Sequence, residues 1–345
     1  MSKKIKNAFD LILNGQFDLL WFRFKRKLGF KDLVPPLPNV LIVEPANFCN
    51  LRCPLCPTGS GRLGREPRLM TYEEFKNIIG QVKGYVKKLF LFNYGEPLLN
   101  PDTPKMAKEA VEAGMKVKMS TNAMLLNSKE LCVDLINSGL QHLIISLDGL
   151  DQETLCQYRV GSDLETVKKN IRLMVETKKE MKASTPKIEL QFIVMKQNEH
   201  QKDDMANFAK EIGVDIFAAK TMFLYDTPEA QKMAERFVPS DILFSRYQKN
   251  DQGEYVLKGE ITNTCGQVYE TVAINSNGDV CPCCYDLFSR HVMGNVFKES
   301  LRSIWKNAKY QGLRNQIKKD RSAIHMCDIC PENRLDFLRQ EKQIS

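Results

Sequence analysis

The chain of 345 residues carries 50 Lys and Arg against 42 Asp and Glu, and 43% of its residues are apolar. That balance excludes a disordered or fibrous chain and is enough for one large core or two domains. No apolar run approaches the roughly 18–20 residues of a membrane-spanning helix. Asn14, Gln16 and Asp18 interrupt any signal-like stretch, so a cytoplasmic protein is expected.

Residues 1–34 hold Lys3, Lys4, Lys6, Arg23, Lys25, Arg26, Lys27 and Lys31 against Asp10, Asp18 and Asp32, which is +5 of a total of +8. The remaining chain is nearly neutral, which argues against a nucleic-acid binder. Ile5, Phe9, Ile12, Leu13, Phe17, Leu20, Trp21, Phe24 and Leu28 recur at helical spacing. This predicts one or two amphipathic basic helices, broken near Asn14-Gly15. The segment is expected to cap the domain's own core. The alternative is peripheral docking on an anionic membrane surface. Pro35, Pro36 and Pro38 form a stiff connector that closes a first unit at residue 39.

From residue 40 the pattern alternates strand and helix. Strands are expected at Val40–Glu44, Leu89–Asn93, Lys116–Ser120, His142–Leu147, Ile188–Met195 and Val214–Ala219. Helices are expected at Tyr72–Val82, Pro104–Ala113, Lys129–Asn137, Leu164–Lys179 and Asp203–Glu211, with Thr71 and Glu74 as a capping box on the first. Repeated βα units predict a parallel sheet with function at the C-terminal ends of its strands. The loops that begin at Asn47, Tyr94, Thr121 and Asp148 all lie at that edge.

Eleven cysteines are the informative number. In a reducing compartment they serve metal or redox chemistry more readily than a disulfide framework. Cys49, Cys53 and Cys56 form one group, Cys265, Cys281, Cys283 and Cys284 a second, Cys327 and Cys330 a third; Cys132 and Cys156 stand apart and read as small buried hydrophobes. The first group is CxxxCxxC, without a fourth cysteine nearby. Tetrahedral structural zinc wants four ligands, whereas three thiolates on a [4Fe–4S] cubane leave one iron open. Zinc with a distant fourth ligand is the alternative.

CxxxCxxC after the first strand, Tyr94-Gly95-Glu96-Pro97 after the second, Ser120-Thr121-Asn122 after the third and Ser146-Leu147-Asp148-Gly149 after the fourth together resemble the radical S-adenosylmethionine (SAM) superfamily, over roughly residues 40–220. The resemblance implies a partial (β/α)6 barrel over residues 40–225, of α/β class. It also implies a SAM-binding [4Fe–4S] cluster on Cys49, Cys53 and Cys56, and reductive cleavage of SAM to a 5′-deoxyadenosyl radical that abstracts hydrogen from a substrate. By position, Gly95 and Glu96 face the methionyl amino group, Ser146 and Arg159 its carboxylate, and Thr121 and Asn122 the ribose. Tyr94 departs from the glycine the family often has there. A flavodoxin- or ferredoxin-type electron donor is implied as a partner.

The C-terminal third resembles the auxiliary-cluster domain called SPASM, or its shortened twitch form. Cys265 is followed by twelve residues, Gly278, four residues and Cys283, with Cys327-x-x-Cys330 later. The domain is expected over residues 261–335, after a connecting segment at 226–260 and before a charged tail at 336–345. Cys265, Cys283, Cys327 and Cys330 would close one auxiliary [4Fe–4S] cluster. With no cysteine after Cys330, a second auxiliary cluster is not expected. Zinc is the alternative here too, and the choice of ligand among Cys281, Cys283 and Cys284 stays open.

For the chemistry itself, Asp286 is a candidate base and Cys284 or Cys281 a candidate hydrogen donor. Glu44, Glu189, Gln191 and Lys220 are candidates to reach a substrate inside the barrel. The 48 residues before Cys49 read as helices and leave no room for a leader-binding domain of the kind peptide-modifying members carry. The leading expectation is therefore two-electron oxidation of a carbohydrate-like or other hydroxylated small molecule. Radical epimerisation, peptide or protein side-chain maturation, and a non-catalytic iron–sulfur or zinc protein are the alternatives.

Overall fold

The computed structural model describes residues 11–13, 15–30, 33–225, 228–332 and, for the backbone, 340–343. A helix α1 (Phe17–Lys27) precedes the sheet. Six strands follow, β1 (Val40–Val43), β2 (Lys88–Phe90), β3 (Lys116–Thr121), β4 (His142–Ser146), β5 (Lys187–Val194) and β6 (Ile216–Thr221), each parallel to the one before. Between them run α2 (Tyr72–Val82), α3 (Thr103–Glu112), α4 (Lys129–Asn137), α5 (Gln152–Tyr158), α6 (Leu164–Glu180) and α7 (Lys202–Ile212). This is the expected partial (β/α)6 arrangement, with strand limits shifted by one to three residues.

Alternation along the strands separates two faces. Leu41, Val43, Leu89, Val117, Met119, Leu143, Ile145, Leu190 and Phe192 point to the helices and pack with Phe75, Ile78, Met106, Leu135, Ile171 and Met174 in one buried core. The intervening residues, among them Glu44, Ser120, Ser146, Glu189 and Gln191, take the inner face. Helix starts are fixed locally. The capping box of Thr71 and Glu74 is formed, and Ser128, Asp151 and Asp163 each accept a backbone N–H at their own helix. Cys132 is buried in this core, whereas Cys156 on α5 is half-buried.

The sheet continues beyond both ends of the predicted run. After α8 (Pro228–Phe237), the hairpin of β7 (Tyr247–Lys249) and β8 (Tyr255–Leu257), and α9 (Gln267–Glu270), β9 (Thr271–Ile274) pairs parallel to β1. Then β10 (Asp279–Cys281) and β11 (Gly294–Asn295) add antiparallel. The cysteine-rich segment therefore shares the barrel's sheet. The helices α10 (Leu301–Lys306), α11 (Ala308–Lys319) and α12 (His325–Asp328) follow. At the other edge β12 (Gln340–Gln343), within the segment read as a tail, pairs antiparallel with β6.

Two expectations are corrected here. Glu44 does not face a substrate: it is fully buried, paired with both Arg65 nitrogens at 2.6 and 2.9 Å, and accepts the Ser276 backbone N–H at 3.1 Å. Nor is the apolar stripe of α1 buried. Phe17, Trp21 and Leu28 are 62%, 57% and 60% exposed, and α1 contributes no buried residue. The helix is held through polar contacts instead. Asp18 accepts from the Tyr85 hydroxyl at 3.0 Å and pairs with Arg302, and Gln16 donates to the Lys83 carbonyl. Helical period alone does not say which way a stripe faces.

Glu189 on β5 is also held by protein groups. His142 Nε2 lies 2.8 Å away, Lys118 3.4 Å and Lys220 3.7 Å. Burial pushes this carboxyl up, but His142, Lys118 and Lys220 more than reverse it and hold it at about 2. A depressed pKa stabilises fully above the ordinary carboxylate value and is lost as pH falls toward 2. Glu189→Gln is therefore expected to cost about 2 kcal/mol in urea unfolding, the partly hydrated partners discounting the full shift. The difference from wild type should persist, though not unchanged, from about pH 5 to 8, because Lys118 and Lys220 keep their charge there. A difference that vanishes within that range would contradict this ion-pair account.

Candidate active site

The loop after β1 carries Cys49, Cys53 and Cys56, and its backbone is closed by short contacts. Cys56 N donates to the Cys53 carbonyl at 3.1 Å and Arg52 N to the Val160 carbonyl at 2.9 Å. A Cβ on Gly59 would stand 2.5 Å from Cys53 N, so this turn tolerates only glycine. The Leu51 N–H at 3.4 Å and the Asn122 amide at 3.6 Å approach the Cys49 sulfur. Burial pushes the Cys53 thiol up to about 12 and Cys49 up as well; Arg159 opposes both. Such thiols need a cationic or metal partner to ionise.

The loops after β2, β3 and β4 meet at the first of these cysteines. Gly95 has φ +104°, and a Cβ there would lie 2.2 Å from the Ala46 carbonyl oxygen. Its neighbour Glu96 is buried, and its N–H donates to the Phe48 carbonyl at 2.9 Å. The Glu96 carboxylate accepts from the Thr121 hydroxyl (2.7 Å), Asn122 N (2.8 Å) and Leu98 N (3.1 Å). Burial raises this carboxyl, and those donors oppose the rise. Thr121 and Asn122 are thus joined to Glu96 in one network at the barrel mouth. Gly95→Ala combines a left-handed backbone with a main-chain clash. It is expected to cost about 2–3 kcal/mol and to weaken SAM binding at least about tenfold by equilibrium dialysis. Unchanged affinity would mean that this turn does not shape the binding site.

Ser146 ends β4 on the inner face and is nearly buried. Asp148 fixes Arg159: it accepts from Arg159 Nε at 2.6 Å and from Ile193 N at 2.7 Å. Burial works against the charge of Arg159, but Asp148 and Cys53 outweigh it and keep the guanidinium charged. A permanent cation beside Cys53 suits an anionic sulfur or a ligand carboxylate. The structure therefore brings Gly95, Glu96, Thr121, Asn122 and Arg159 to the side of Cys49 and Cys53, while Ser146 ends β4 on the inner face.

The second group assembles less locally. Burial raises Cys283 far above the ordinary thiol value, with Cys284, Cys330 and Cys327 pushing the same way. Burial likewise raises Cys327 to about 11 and Cys330 to about 12, with Cys265 adding to both. Cys283 thus lies near Cys327 and Cys330, and Cys265 lies near the same two. All eleven cysteines are free thiols. Among the described residues no three His, Cys, Asp or Glu side chains stand at single-ion distance. A cubane, with a separate iron under each thiolate, needs a wider group than one ion does. Four soft thiols, two buried and two half-buried, form a donor set that suits an iron–sulfur cluster.

Cys281 sits elsewhere, on β10, buried against Ile42 and Ala273 with Phe90 and Cys284 beside it. Burial pushes it to about 12, with Asp286 adding to the rise. Cys284 is raised to about 11 by burial. Asp286 accepts from Arg290 N and His291 N, each at 2.9 Å, and so closes its own turn. Two links join this region to the first site. The Tyr94 hydroxyl donates to the Cys284 carbonyl, and Arg68 donates to the Ser276 carbonyl. Tyr94 and Tyr225 both lie near Cys56 and Cys284, and loss of hydration raises both phenols well above the ordinary value. Arg65, Arg68 and Tyr225 escape sequence analysis because their partners are remote in the chain.

Comparison with known proteins gives the assignment. Residues 43–209 match the Radical SAM superfamily, and residues 265–331 match SPASM, an iron–sulfur cluster-binding domain. The chain is 25% identical over 308 residues to the AdoMet-dependent heme synthase of Methanosarcina barkeri, covering 79% of this chain and 83% of that protein. It is 28% identical over 317 residues to the mycofactocin maturase MftC of Mycobacterium ulcerans, covering 85% and 80%. Among solved structures it resembles Streptococcus suis SuiB bound to S-adenosylmethionine, with a TM-score of 0.64 at 18% identity over 94% of this chain and 77% of that one. It also resembles BtrN in complex with AdoMet and 2-DOIA, with a TM-score of 0.52 at 18% identity over 84% and 92%. The chain belongs to the radical SAM superfamily and carries a C-terminal SPASM iron–sulfur domain.

Proposed function

We propose that this radical SAM enzyme removes two electrons and two hydrogens from a hydroxylated, carbohydrate-like small molecule. The cluster held by Cys49, Cys53 and Cys56 would supply the electron that cleaves SAM, and the one held by Cys265, Cys283, Cys327 and Cys330 a sink for the electron left on the substrate. Gly95 and Glu96 shape the pocket for the methionyl amino group, Ser146 and Arg159 receive its carboxylate, and Thr121 and Asn122 adjoin the ribose. A flavodoxin- or ferredoxin-type protein is the proposed source of electrons.

The observation that carries this reading is the hydrogen bond from Tyr94 to the Cys284 carbonyl. It joins the loop of the SAM motif to the backbone beside Cys283, so the auxiliary site adjoins the barrel mouth. The small-molecule class draws support from the fold shared with BtrN, whose structure holds 2-DOIA. MftC, a maturase, supports the peptide alternative. Epimerisation is favoured by one observation, the placement of Cys281 beside Cys284 and Phe90. The test of the class is direct: reduced, anaerobically reconstituted protein should form 5′-deoxyadenosine from SAM. Protein with full iron content that forms none would refute the proposal.

A further inference from the structure

We propose that α1 is a peripheral membrane anchor that lays its Phe17, Trp21, Phe24 and Leu28 stripe on an anionic bilayer surface. These four residues recur at i, i+4, i+7 and i+11, so they share one side of the helix. All four are exposed, at 48–62%. At 100° per residue Lys25 and Lys27 flank the stripe on opposite sides, and Lys25 Nζ lies 5.2 Å from the Trp21 ring centre. Phe30, just beyond the helix, is also 57% exposed. An apolar aromatic stripe with basic borders is the pattern of a helix that lies in the membrane interface.

The opposite side of α1 does not close on the barrel either. A cavity of about 930 Å³ lies between them, lined by Leu19, Phe22, Arg26, Tyr85 and Tyr269 among others. Among the described residues, the hydrogen bonds that hold this segment are those of Gln16 and Asp18, and its aromatic side faces outward. Charge selects the occupant. Residues 1–34 carry +5, so two copies placed stripe to stripe would repel, whereas an anionic lipid surface attracts each basic residue. Asn39, Lys87 and Glu270 also line the cavity, and they precede β1, β2 and β9. The anchor thus lies at the base of the barrel, opposite the cysteine loops, and the barrel mouth would face away from the membrane.

The test uses the full-length reconstituted protein and vesicles of phosphatidylcholine with about a quarter phosphatidylglycerol. The protein should sediment with these at least roughly tenfold more than with pure phosphatidylcholine, and release at ~0.5 M salt. Of the two tryptophans Trp305 is fully buried, so a blue shift on binding reports Trp21. Trp21→Asp with Phe24→Asp should abolish binding, and Lys25→Glu with Lys27→Glu should abolish its salt-sensitive part. Both double variants should form 5′-deoxyadenosine as wild type does, because these side chains are exposed and remote from the site. Equal binding to neutral and anionic vesicles, or none to either, would overturn the proposal. So would lipid-free dimerisation that the Asp variant abolishes, since the occupant is then a second copy. Insolubility of both double variants would return α1 to the core.

Discussion

Cys53→Ala should reduce 5′-deoxyadenosine formation by at least about a thousandfold while lowering iron from about eight to about four per chain. The size of the loss follows from the site's construction. Cys53 is buried, and burial holds its thiol at about 12 against the pull of Arg159. Beyond Cys49 and Cys56, which are ligands themselves, this loop has no cysteine to replace it, and three thiolates are the minimum that holds a cubane with one iron open. The loop itself should survive. Gly59 packs on the Cys53 backbone rather than its side chain, and the Cys56 N–H bond goes to the Cys53 carbonyl. The variant should therefore unfold like the cluster-free wild-type chain while the chemistry disappears. The matching control replaces Cys265, Cys327 and Cys330 together. That variant should keep about four irons and still cleave SAM, without turning over substrate. Normal cleavage in Cys53→Ala would sink the assignment of the first site. Zinc in the wild type, with only four irons, would sink that of the second.

Much of the site was legible because its parts are local. Cys49, Cys53 and Cys56 lie within one loop, Gly95–Glu96 lie in the loop after β2, and Thr121 and Ser146 end β3 and β4, whose alternation the sequence carries. A parallel sheet then brings those ends to one edge without further information. The strand β9 and the clamps of Glu44 by Arg65 and Ser276 were not legible, since each depends on a partner far away in the chain. Glu44 and Glu189 show the cost of reading polar residues on inner faces as substrate contacts: a buried carboxylate must be paired, and the protein itself supplied the cations. The α1 stripe shows the converse. Periodicity gave the helix and its apolar side, but a stripe with basic borders is compatible with a core or with lipid. Its exposure speaks against the core.

The fate of the substrate radical separates oxidation from epimerisation, and isotope content reads it. Oxidation predicts one SAM consumed per product, a product two hydrogens lighter than the substrate, and no carbon-bound deuterium in heavy water. Epimerisation predicts unchanged mass in ordinary water and one carbon-bound deuterium in heavy water, because a cysteine thiol exchanges its proton with solvent before giving a hydrogen atom. The geometry bears on both outcomes. A thiol held at about 11 or 12 by burial, as Cys284 and Cys281 are, stays protonated at neutral pH and retains a hydrogen to give. Against that, Cys281 is packed against Ile42 and Ala273, and the Cys284 backbone is tied to Tyr94. Asp286 accepts from two backbone N–H groups and so already serves its own turn. Asp286→Asn should accordingly lower turnover only a few-fold under the oxidation reading, through the turn it closes rather than as a base. Cys284→Ala should leave both SAM cleavage and turnover within about a factor of ten of wild type. A single solvent-derived deuterium in the product, lost in Cys284→Ala or Cys281→Ala together with turnover, would replace oxidation by epimerisation and identify the donor.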